Sequence, residues 1–285
     1  MSNSAPHPGS GGIAVITGAS SGLGAAFARE FARRGHDLVL VARRRKRLEI
    51  LAAEAAVKHG VTAEIIPADL SVREDLDRVV DRVQSQQSLR FLVNAAGFGL
   101  EGPFSASDIA QQQAMIDVHV VASVRLVRAA LPVMLAQHAG AIVNIASLGA
   151  FAPLPGFATY GATKAYMVSF TRSLAIELEG TGVHVQALCP GFTHTEFQER
   201  QGADLSRVPK MMWMSAEQAV AASLRALQND QVVCVPGFLN RIAARLAGPF
   251  GEYIQRRVAP QNGWITAAAD EAQAAEEGAA PRQAR

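Results

Sequence analysis

The stretch Ile13-Ala-Val-Ile-Thr-Gly18-Ala-Ser-Ser-Gly22-Leu-Gly24 decides the fold of this chain. Its first five residues form a short apolar run that ends at a glycine, which is typical of a buried strand in a parallel sheet. Residues 25–34 follow with apolar side chains at helical spacing, and Gly35 ends them as it would end a helix. The stretch therefore predicts a strand, a glycine turn and a helix.

The glycine turn from Gly18 to Gly24 suits a phosphate group. Glycines let the backbone approach a pyrophosphate closely, and the following helix N-terminus supplies free N–H groups and partial positive charge. A glycine pattern alone is weak evidence, because a tight turn without a ligand has the same residues. The place of this turn between a strand and a helix is the context that dinucleotide binding requires, and it favours that interpretation.

Strands and helices alternate along the rest of the chain. The predicted strands are Ile13–Thr17, Asp37–Ala42, Thr62–Ile66, Arg90–Asn94, Ala141–Ala146, Val183–Cys189 and Gln231–Val235. The predicted helices after the first are Arg44–Lys58, Ser71–Gln84 capped by Ser71, an interrupted Ser107–Gln137, Gly156–Glu179, a helix from the cap Ser215 to Leu227, and Phe238–Val258. This alternation predicts an α/β fold, a Rossmann-like doubly wound parallel seven-stranded sheet with helices on both faces. One domain, residues 12–260, is expected between a flexible segment 1–11 and a disordered tail 261–285.

Composition limits the class of protein. The chain has 285 residues, is 49% hydrophobic and carries a formal net charge of +2, which indicates a large core and gives no electrostatic case for nucleic acid. Cys189 and Cys234 fall in apolar runs and are expected to be core thiols, and no residues have metal-ligand spacing. We see no secretory signal and no apolar run of 18 residues, so we expect a cytoplasmic protein without stable membrane insertion.

The end of the second predicted strand distinguishes between cofactors. An acidic residue about 20 positions after the glycine turn would bind the adenosine 2′-hydroxyl of NAD. Here that place holds Ala42, followed by Arg43 and Arg44, so no carboxylate repels a 2′-phosphate and guanidinium groups can bind one. Ser20 and Ser21 can add hydroxyl donors. The sequence thus favours NADP, and the basic residues 45–47 are interpreted as a solvated helix face.

Tyr160 and Lys164 are four residues apart in a predicted helix, so they lie on one face. A phenol has a reference pKa of about 10, and a nearby ammonium group is expected to lower it. The pair is therefore a candidate acid/base, and Ser147 lies where its hydroxyl can meet the phenol. Taken alone, the pair favours an ordinary surface helix that carries a Tyr and a Lys, and only the other motifs of the chain change that interpretation.

The motifs together resemble those of the short-chain dehydrogenase/reductase family, of the single-domain, NADP-preferring type. They follow the family order over about Gly12 to Val258. The matching features are Thr17-Gly-Ala-Ser-Ser-Gly-Leu-Gly24, Ala42-Arg-Arg44, Asp69-Leu70, Asn94-Ala-Ala-Gly97, Ser147, Tyr160-x-x-x-Lys164 and Pro190-Gly-Phe-Thr-His-Thr195.

The resemblance implies an NADP(H)-dependent oxidoreductase acting on a ketone or secondary alcohol. Ser147 would hold the substrate oxygen, Tyr160 would exchange the proton, and Lys164 would bind the nicotinamide ribose. Asp69 would accept from the adenine amino group, and Thr193 and Thr195 would meet the carboxamide. The cofactor-binding residues implied are Gly18, Ser20, Ser21, Gly22, Leu23, Gly24, Arg43, Arg44, Asp69, Leu70, Asn94, Ala95, Ala96, Gly97, Tyr160, Lys164, Pro190, Gly191, Thr193 and Thr195. A homodimer or homotetramer through the two long helices beside the fifth strand is also implied.

His119 departs from the family pattern. It stands in Met115-Ile-Asp-Val-His119, where the family usually has an Asn that holds a water in a proton relay behind the Lys. A neutral imidazole has one donor and one acceptor and can serve the same relay, so His119 is included among the catalytic candidates. A structural role on a packed helix is the equal alternative.

Residues 190–214 are expected to form an irregular segment over the substrate. Met211-Met-Trp-Met214 suits an apolar pocket or, equally, the core under the next helix. Phe98, Phe151, Leu154 and Phe157 also flank the site in sequence, which favours a bulky apolar substrate.

Two other functional classes compete with the enzyme. A cofactor-sensing regulatory protein would need only the cofactor site, although such proteins tend to lose the Tyr or the Lys. A membrane-surface protein would use the helix Phe238–Val258, in which Arg241, Arg245, Arg256 and Arg257 lie beside apolar residues. For that helix, docking within an oligomer is the simpler explanation.

Overall fold

The computed structural model describes residues 11–152, 155–196, 211 and 213–247. The predicted terminal segments, Leu154, Met212 and most of the predicted substrate loop lie outside these residues, so the predicted domain boundaries stay predictions.

A parallel seven-stranded sheet forms the centre of the molecule, as predicted. Its strands are β1 (Ile13–Thr17), β2 (Asp37–Ala42), β3 (Ala63–Pro67), β4 (Leu89–Asn94), β5 (Gly140–Ile145), β6 (Val183–Leu188) and β9 (Val233–Cys234). Their order is β3-β2-β1-β4-β5-β6-β9, and every pairing is parallel. From β1 the chain adds β2 and β3 on one side of the sheet. It then crosses back to place β4 on the other side of β1, and the later strands continue from β4. Loops that leave β1 and β4 therefore diverge, and a crevice opens between them.

Helices cover both faces of the sheet, because strands buried on both sides need apolar cover on each. On one face lie α1 (Gly22–Arg33), α2 (Arg45–His59) and α7 (Ala216–Gln228), packed around a core that includes Phe27, Phe31 and Phe91. On the other face lie α3 (Arg73–Gln84), α4 (Ile109–Ile116), α5 (Ser123–Ala136) and α6 (Ala158–Glu177). Residues 238–247 are also helical.

The predicted interruption of the long helix before β5 is a turn of π-helix. Residues Asp117–Ala122 join α4 to α5 with π-helical bonding, while Pro132 lies inside α5 without ending it. The combined run Ile109–Ala136 is long and apolar enough to span a membrane by composition, but 50% of its most apolar window is buried against the rest of the molecule. It is a core helix of the second face.

Three local predictions have mixed outcomes. Ser215 caps α7 in a reciprocal capping box with Gln218, as predicted. Ser71 does not cap α3, because the helix begins two residues later and the Ser71 hydroxyl donates to Asp69 instead. The segment after β6 is not wholly irregular, since β7 (Phe192–His194) pairs in parallel with β8 (Trp213–Ser215).

Candidate active site

A cleft of about 1040 Å³ lies at the carboxyl ends of the central strands. Its walls come from the loops that follow strands β1 to β6, because the carboxyl ends of parallel strands meet at one edge of the sheet. The volume reaches the upper end of what small-molecule sites occupy, so it has room for a long ligand.

The glycine turn forms the floor of one half of the cleft. Gly18 has φ +66°, and a Cβ there would lie 2.6 Å from the Ala95 carbonyl oxygen, so only glycine lets the turn approach the end of β4. Gly22 has φ +54° and begins α1, whose first turn holds no acidic residue. The first N–H groups of α1 thus have no acidic side chain of their own turn beside them, and this positive helix end suits a pyrophosphate.

Arg44 lies at the end of the cleft where the sequence predicts the adenosine of a cofactor, which we call the adenosine end. Its Nε and Nη2 donate to the Ser20 hydroxyl at 3.1 and 2.9 Å, and Nη2 also donates to Ser21 at 2.7 Å. Arg43 is mostly exposed, with its Nη1 3.6 Å from a carboxylate oxygen of Asp69. The two arginines and two serines that the sequence predicted for a 2′-phosphate therefore converge on one end of the cleft.

Asp69 is held in place by its own loop. Its Oδ1 accepts from the Ser71 N–H at 3.0 Å and from the Ser71 hydroxyl at 2.7 Å. Burial raises the pKa of the Asp69 carboxyl, but the Ser71 hydrogen bonds and Arg43 outweigh burial and leave the pKa below its usual value. The carboxylate is thus ionised and oriented at the adenosine end.

Polar side chains join the ends of the central strands beneath the cleft. The Thr17 hydroxyl accepts from the N–H groups of Ala95 and Ala96 at 3.0 and 3.1 Å. Asn94 donates to the Asn144 side-chain oxygen at 2.9 Å, which ties β4 to β5. Asn94 does not line the cleft, because this bond turns its buried side chain into the sheet. This bond gives Asn94 a role in holding the centre of the sheet, and its contact with a cofactor stays a prediction.

Tyr160 and Ser147 meet on the wall opposite the glycine turn. Tyr160 lies in the first turn of α6, and Ser147 begins the short turn after β5, where its Oγ accepts from the Gly149 N–H at 3.1 Å. Burial raises the pKa of Tyr160 to about 12, against the lowering effect of a hydrogen bond with the Ser147 side chain. The phenol is therefore protonated at neutral pH.

Lys164 lies one helical turn after Tyr160, as the spacing predicted. Its Nζ donates to the Ile145 carbonyl at 2.9 Å and lies 5.6 Å from the centre of the Tyr160 ring. Burial lowers the pKa of Lys164 to about 8. The expected lowering of the Tyr160 pKa by this ammonium is not observed, because burial of the phenol dominates and the Nζ is directed toward the backbone of β5.

His119 is buried behind Tyr160 and does not line the cleft. Its Nε2 accepts from the Phe98 N–H at 3.1 Å, and its Nδ1 lies 2.9 Å from the Thr163 hydroxyl. That hydroxyl donates to the Tyr160 carbonyl at 2.8 Å, so it accepts from the imidazole, which assigns the proton to Nδ1. Burial and the nearby Lys164 charge hold the pKa of His119 well below its usual value. Both nitrogens bond to protein groups, so the structure supports the structural alternative and not the predicted catalytic relay.

The nicotinamide end of the predicted site is formed by the segment after β6. Pro190, Gly191, Thr193 and Thr195 line the cleft there. Together with Ser147, the other predicted residues that line it are Gly18, Ser20, Ser21, Gly22, Leu23, Gly24, Arg43, Arg44, Asp69, Leu70, Ala95, Ala96, Gly97, Tyr160 and Lys164.

The substrate end of the cleft is only partly as predicted. Phe98 and Phe157 line it, whereas Phe151 lies outside its lining. Trp213 stacks on His194 with ring centres 4.6 Å apart, and Met211 is exposed, so neither belongs to the described wall.

Sequence reasoning missed two groups at this site. Glu196 lines the cleft and binds Arg44. It directly follows the motif that ends at Thr195, and that position was the signal that could have identified it. Thr163 joins His119 to the backbone of Tyr160 and could have been sought one turn along α6. Among the residues that the structure describes, no group of three His, Cys, Asp or Glu side chains could hold a metal ion, and both cysteines are buried free thiols.

Three solved structures share this fold at 26% to 33% sequence identity. A short-chain dehydrogenase from Sphingobium yanoikuyae in complex with NADPH is 33% identical, with a TM-score of 0.75 and coverage of 96% of this chain and 98% of that chain. A bulky-bulky ketone specific alcohol dehydrogenase from Comamonas testosteroni is 30% identical, with a TM-score of 0.71 and coverage of 96% of both chains. A short-chain dehydrogenase/reductase from Burkholderia phymatum in complex with NAD is 26% identical, with a TM-score of 0.73 and coverage of 85% of this chain and 94% of that chain.

Sequence comparison agrees with the geometry of the cleft. A family model described as short chain dehydrogenase matches residues 12–206. That range contains the glycine turn, the two arginines, Ser147, Tyr160 and Lys164. The chain therefore belongs to the short-chain dehydrogenase/reductase family of oxidoreductases.

Proposed function

We propose that the protein is an NADP(H)-dependent oxidoreductase that interconverts a ketone and a secondary alcohol, with Tyr160 as the general acid/base. The observation that carries this proposal is the continuity of one cleft, which has the α1 N-terminus and Arg44 at one end and Ser147 with Tyr160 at the other. A dinucleotide bound along the cleft would place its nicotinamide ring beside the hydroxyl groups of Ser147 and Tyr160.

The residues of the cleft fit such a cofactor. The glycine turn and α1 N-terminus suit the pyrophosphate, and Arg43 and Arg44 with the two serines suit a 2′-phosphate. Lys164 would hold the ribose hydroxyls. When bound, the nicotinamide supplies or accepts the hydride. The NADP preference is drawn from the arginines, because family members bind either cofactor.

The chemistry of the protein groups is proton transfer and orientation. In the reducing direction the Tyr160 O–H gives its proton to the carbonyl oxygen, while the Ser147 hydroxyl hydrogen-bonds to the same oxygen and orients the carbonyl. The carbonyl carbon gains the hydride and becomes the carbinol carbon. A phenol whose pKa is raised to about 12 is held in its protonated form, which is the form that proton donation to a carbonyl requires.

A bulky apolar ketone is the substrate class that the cleft favours. Phe98, Phe157 and Phe192 line it with Leu148 and Ala152, and apolar walls of this kind bind apolar groups by excluding water. The ketone specificity of the Comamonas testosteroni relative agrees with this choice.

The substitution Tyr160→Phe tests the assignment. It should lower NADPH-dependent turnover of a panel of aryl ketones by about a hundredfold or more, because the proton donor is removed. NADPH binding, followed by calorimetry, should stay close to that of the wild type.

Tyr166→Phe is the matched control, since Tyr166 is an exposed tyrosine on the same helix. Turnover retained by Tyr160→Phe would remove the proposed acid/base. A wild type that binds NADPH but reduces no ketone or aldehyde in the panel would favour the cofactor-sensing alternative.

A further inference from the structure

Glu196 places a carboxylate at the adenosine end of the cleft. It follows β7, and its Oε2 accepts from Arg44 Nη1 at 2.7 Å, while its Oε1 accepts from Arg47. Arg44 and Glu196 are partly buried, with 29% and 30% of their side-chain surfaces exposed. Since Arg47 is on α2 and Glu196 follows β7, the ion pairs join opposite walls of the cofactor cleft.

Every nitrogen of the Arg44 guanidinium already has a partner. Nε and Nη2 bond to Ser20 and Ser21, and Nη1 bonds to Glu196. Arg43, the other cation at this end, has its Nη1 3.6 Å from Asp69. An incoming phosphate therefore finds both arginines next to a carboxylate.

The Glu196 carboxylate is charged throughout the neutral pH range. Hydrogen bonds from Arg44 and Arg47 hold its pKa at about 2. The preceding residue is packed on the glycine turn, where a Cβ on Gly22 would lie 3.3 Å from the Thr195 Cβ. Thr195 thus anchors Glu196, whose carboxylate is held on the guanidinium groups of Arg44 and Arg47.

We propose that Glu196 is a specificity-determining residue, whose carboxylate competes with the cofactor 2′-phosphate for Arg44. The inference rests on the proposed NADP site and deepens it. Two anions on one guanidinium repel each other, so the phosphate must displace Glu196 or share Arg44 at a cost. Glu196 thereby moderates the preference for the phosphorylated cofactor, while ligands without that phosphate leave the ion pair intact.

Calorimetric binding of two fragments to the full-length protein tests this competition. The probes are adenosine 2′,5′-bisphosphate, which carries the 2′-phosphate, and adenosine 5′-monophosphate, which does not. Glu196→Gln should bind the bisphosphate about five- to tenfold more tightly than the wild type, and the monophosphate within about twofold. Glu196→Ala serves as a second variant if the first folds poorly, and should change affinity in the same direction.

Glu49→Gln is the matched control. Glu49 faces Arg45 on α2 at 3.8 Å and does not line the cleft. Glu49→Gln removes the same unit of negative charge from another ion pair of α2, outside the cleft, so it should leave both affinities unchanged. An equal gain in Glu49→Gln would mean that net charge, not competition at Arg44, governs binding.

The Arg44→Ala background separates this inference from the proposed function. Arg44→Ala alone should weaken bisphosphate binding. Adding Glu196→Gln to Arg44→Ala should not restore the bisphosphate affinity, because the guanidinium for which the two anions compete is absent. If Arg44→Ala weakens neither ligand, the proposed 2′-phosphate site is wrong. If Arg44→Ala weakens the bisphosphate but Glu196→Gln changes neither affinity, or changes both equally, the competition is refuted while the NADP site stands.

Discussion

At the scale of single residues, burial decides the charge states of Tyr160 and Lys164. It raises the pKa of Tyr160 to about 12 and lowers that of Lys164 to about 8, and both shifts favour the neutral forms. The Lys164 Nζ bonds to the Ile145 carbonyl, which accepts from a neutral amine as well as from an ammonium. The phenol is therefore protonated over the neutral pH range, while the pKa of Lys164 lies just above neutral pH.

The lowered pKa of Lys164 predicts a pH dependence of stability. In the unfolded chain the lysine amine has its ordinary pKa of 10.5, so between about pH 8 and pH 10.5 the unfolded state binds more protons. The free energy of unfolding then rises with pH. Relative to Lys164→Met, the wild type should gain about 2 kcal/mol between about pH 7.5 and about pH 9.5, measured by urea unfolding.

Lys58→Met is the control for that measurement, since Lys58 is mostly exposed beside Glu54 on α2. It should not alter the slope of stability with pH. A Lys164→Met variant whose stability changes with pH as the wild type's does would show that Lys164 titrates normally in the folded protein.

At the scale of elements, the π-helical turn Asp117–Ala122 connects the loop after β4 to α6. His119 makes this connection through its bonds to the Phe98 N–H and to Thr163. The imidazole also packs closely against Gly97. A Cβ on Gly97 would lie 2.6 Å from the His119 Nε2, so no larger residue fits at position 97. His119 is thus a positioning residue for the first turns of α6, which carry Tyr160 and Lys164.

His119→Asn should therefore affect stability more than proton transfer. We expect the free energy of unfolding to fall by about 1–3 kcal/mol, because buried partners lose their hydrogen bonds. The pH profile of kcat between about pH 5.5 and about pH 7.5 should keep its shape, since the folded imidazole stays neutral there. The stability difference from the wild type should shrink as pH falls below about 6.5, where only the unfolded imidazole binds a proton.

His59→Asn provides the comparison, as His59 is an exposed residue at the end of α2. It should change neither quantity. A shifted or missing limb in the kcat profile of His119→Asn would return His119 to a relay role.

At the scale of the whole molecule, the helices beside β5 leave large apolar side chains exposed. Ile109 and Val121 lie on the run before β5, and Tyr166 and Ile176 lie on α6. Ile176 is 75% exposed. These are the two helices that the family resemblance implies for self-association, and exposed apolar residues on them suit such an interface.

We expect the protein to be a homodimer or homotetramer through this surface. Ile176→Glu should shift its mass toward the monomer at micromolar concentration, measured by size-exclusion chromatography with light scattering, because the charge would be buried in the interface. Val57→Glu is the control, since Val57 is 86% exposed on α2, on the opposite face of the sheet. A wild type that is monomeric at these concentrations, or an Ile176→Glu variant with unchanged mass, would contradict the expectation.

The sequence by itself determined the order of strands and helices, the parallel sheet and most of the cleft. The spacing of apolar residues shows which face of a strand or helix is buried, and it can be read from a few neighbouring residues. The glycine turn and the spacing of Tyr160 and Lys164 are also patterns of neighbouring residues. Crossover connections then bring the carboxyl ends of the strands together, so residues such as Arg44 and Ser147 could be assigned to one site in advance.

Only the tertiary structure decided what each polar side chain binds. Asn94 turns to β5, Ser71 bonds to Asp69 instead of capping α3, and both nitrogens of His119 find partners on other elements. Arg44 meets Glu196 across 152 positions of sequence. Hydrogen bonds and ion pairs form within a few ångströms in space, whereas sequence patterns record only neighbours along the chain, and these partners become neighbours only when the sheet is assembled.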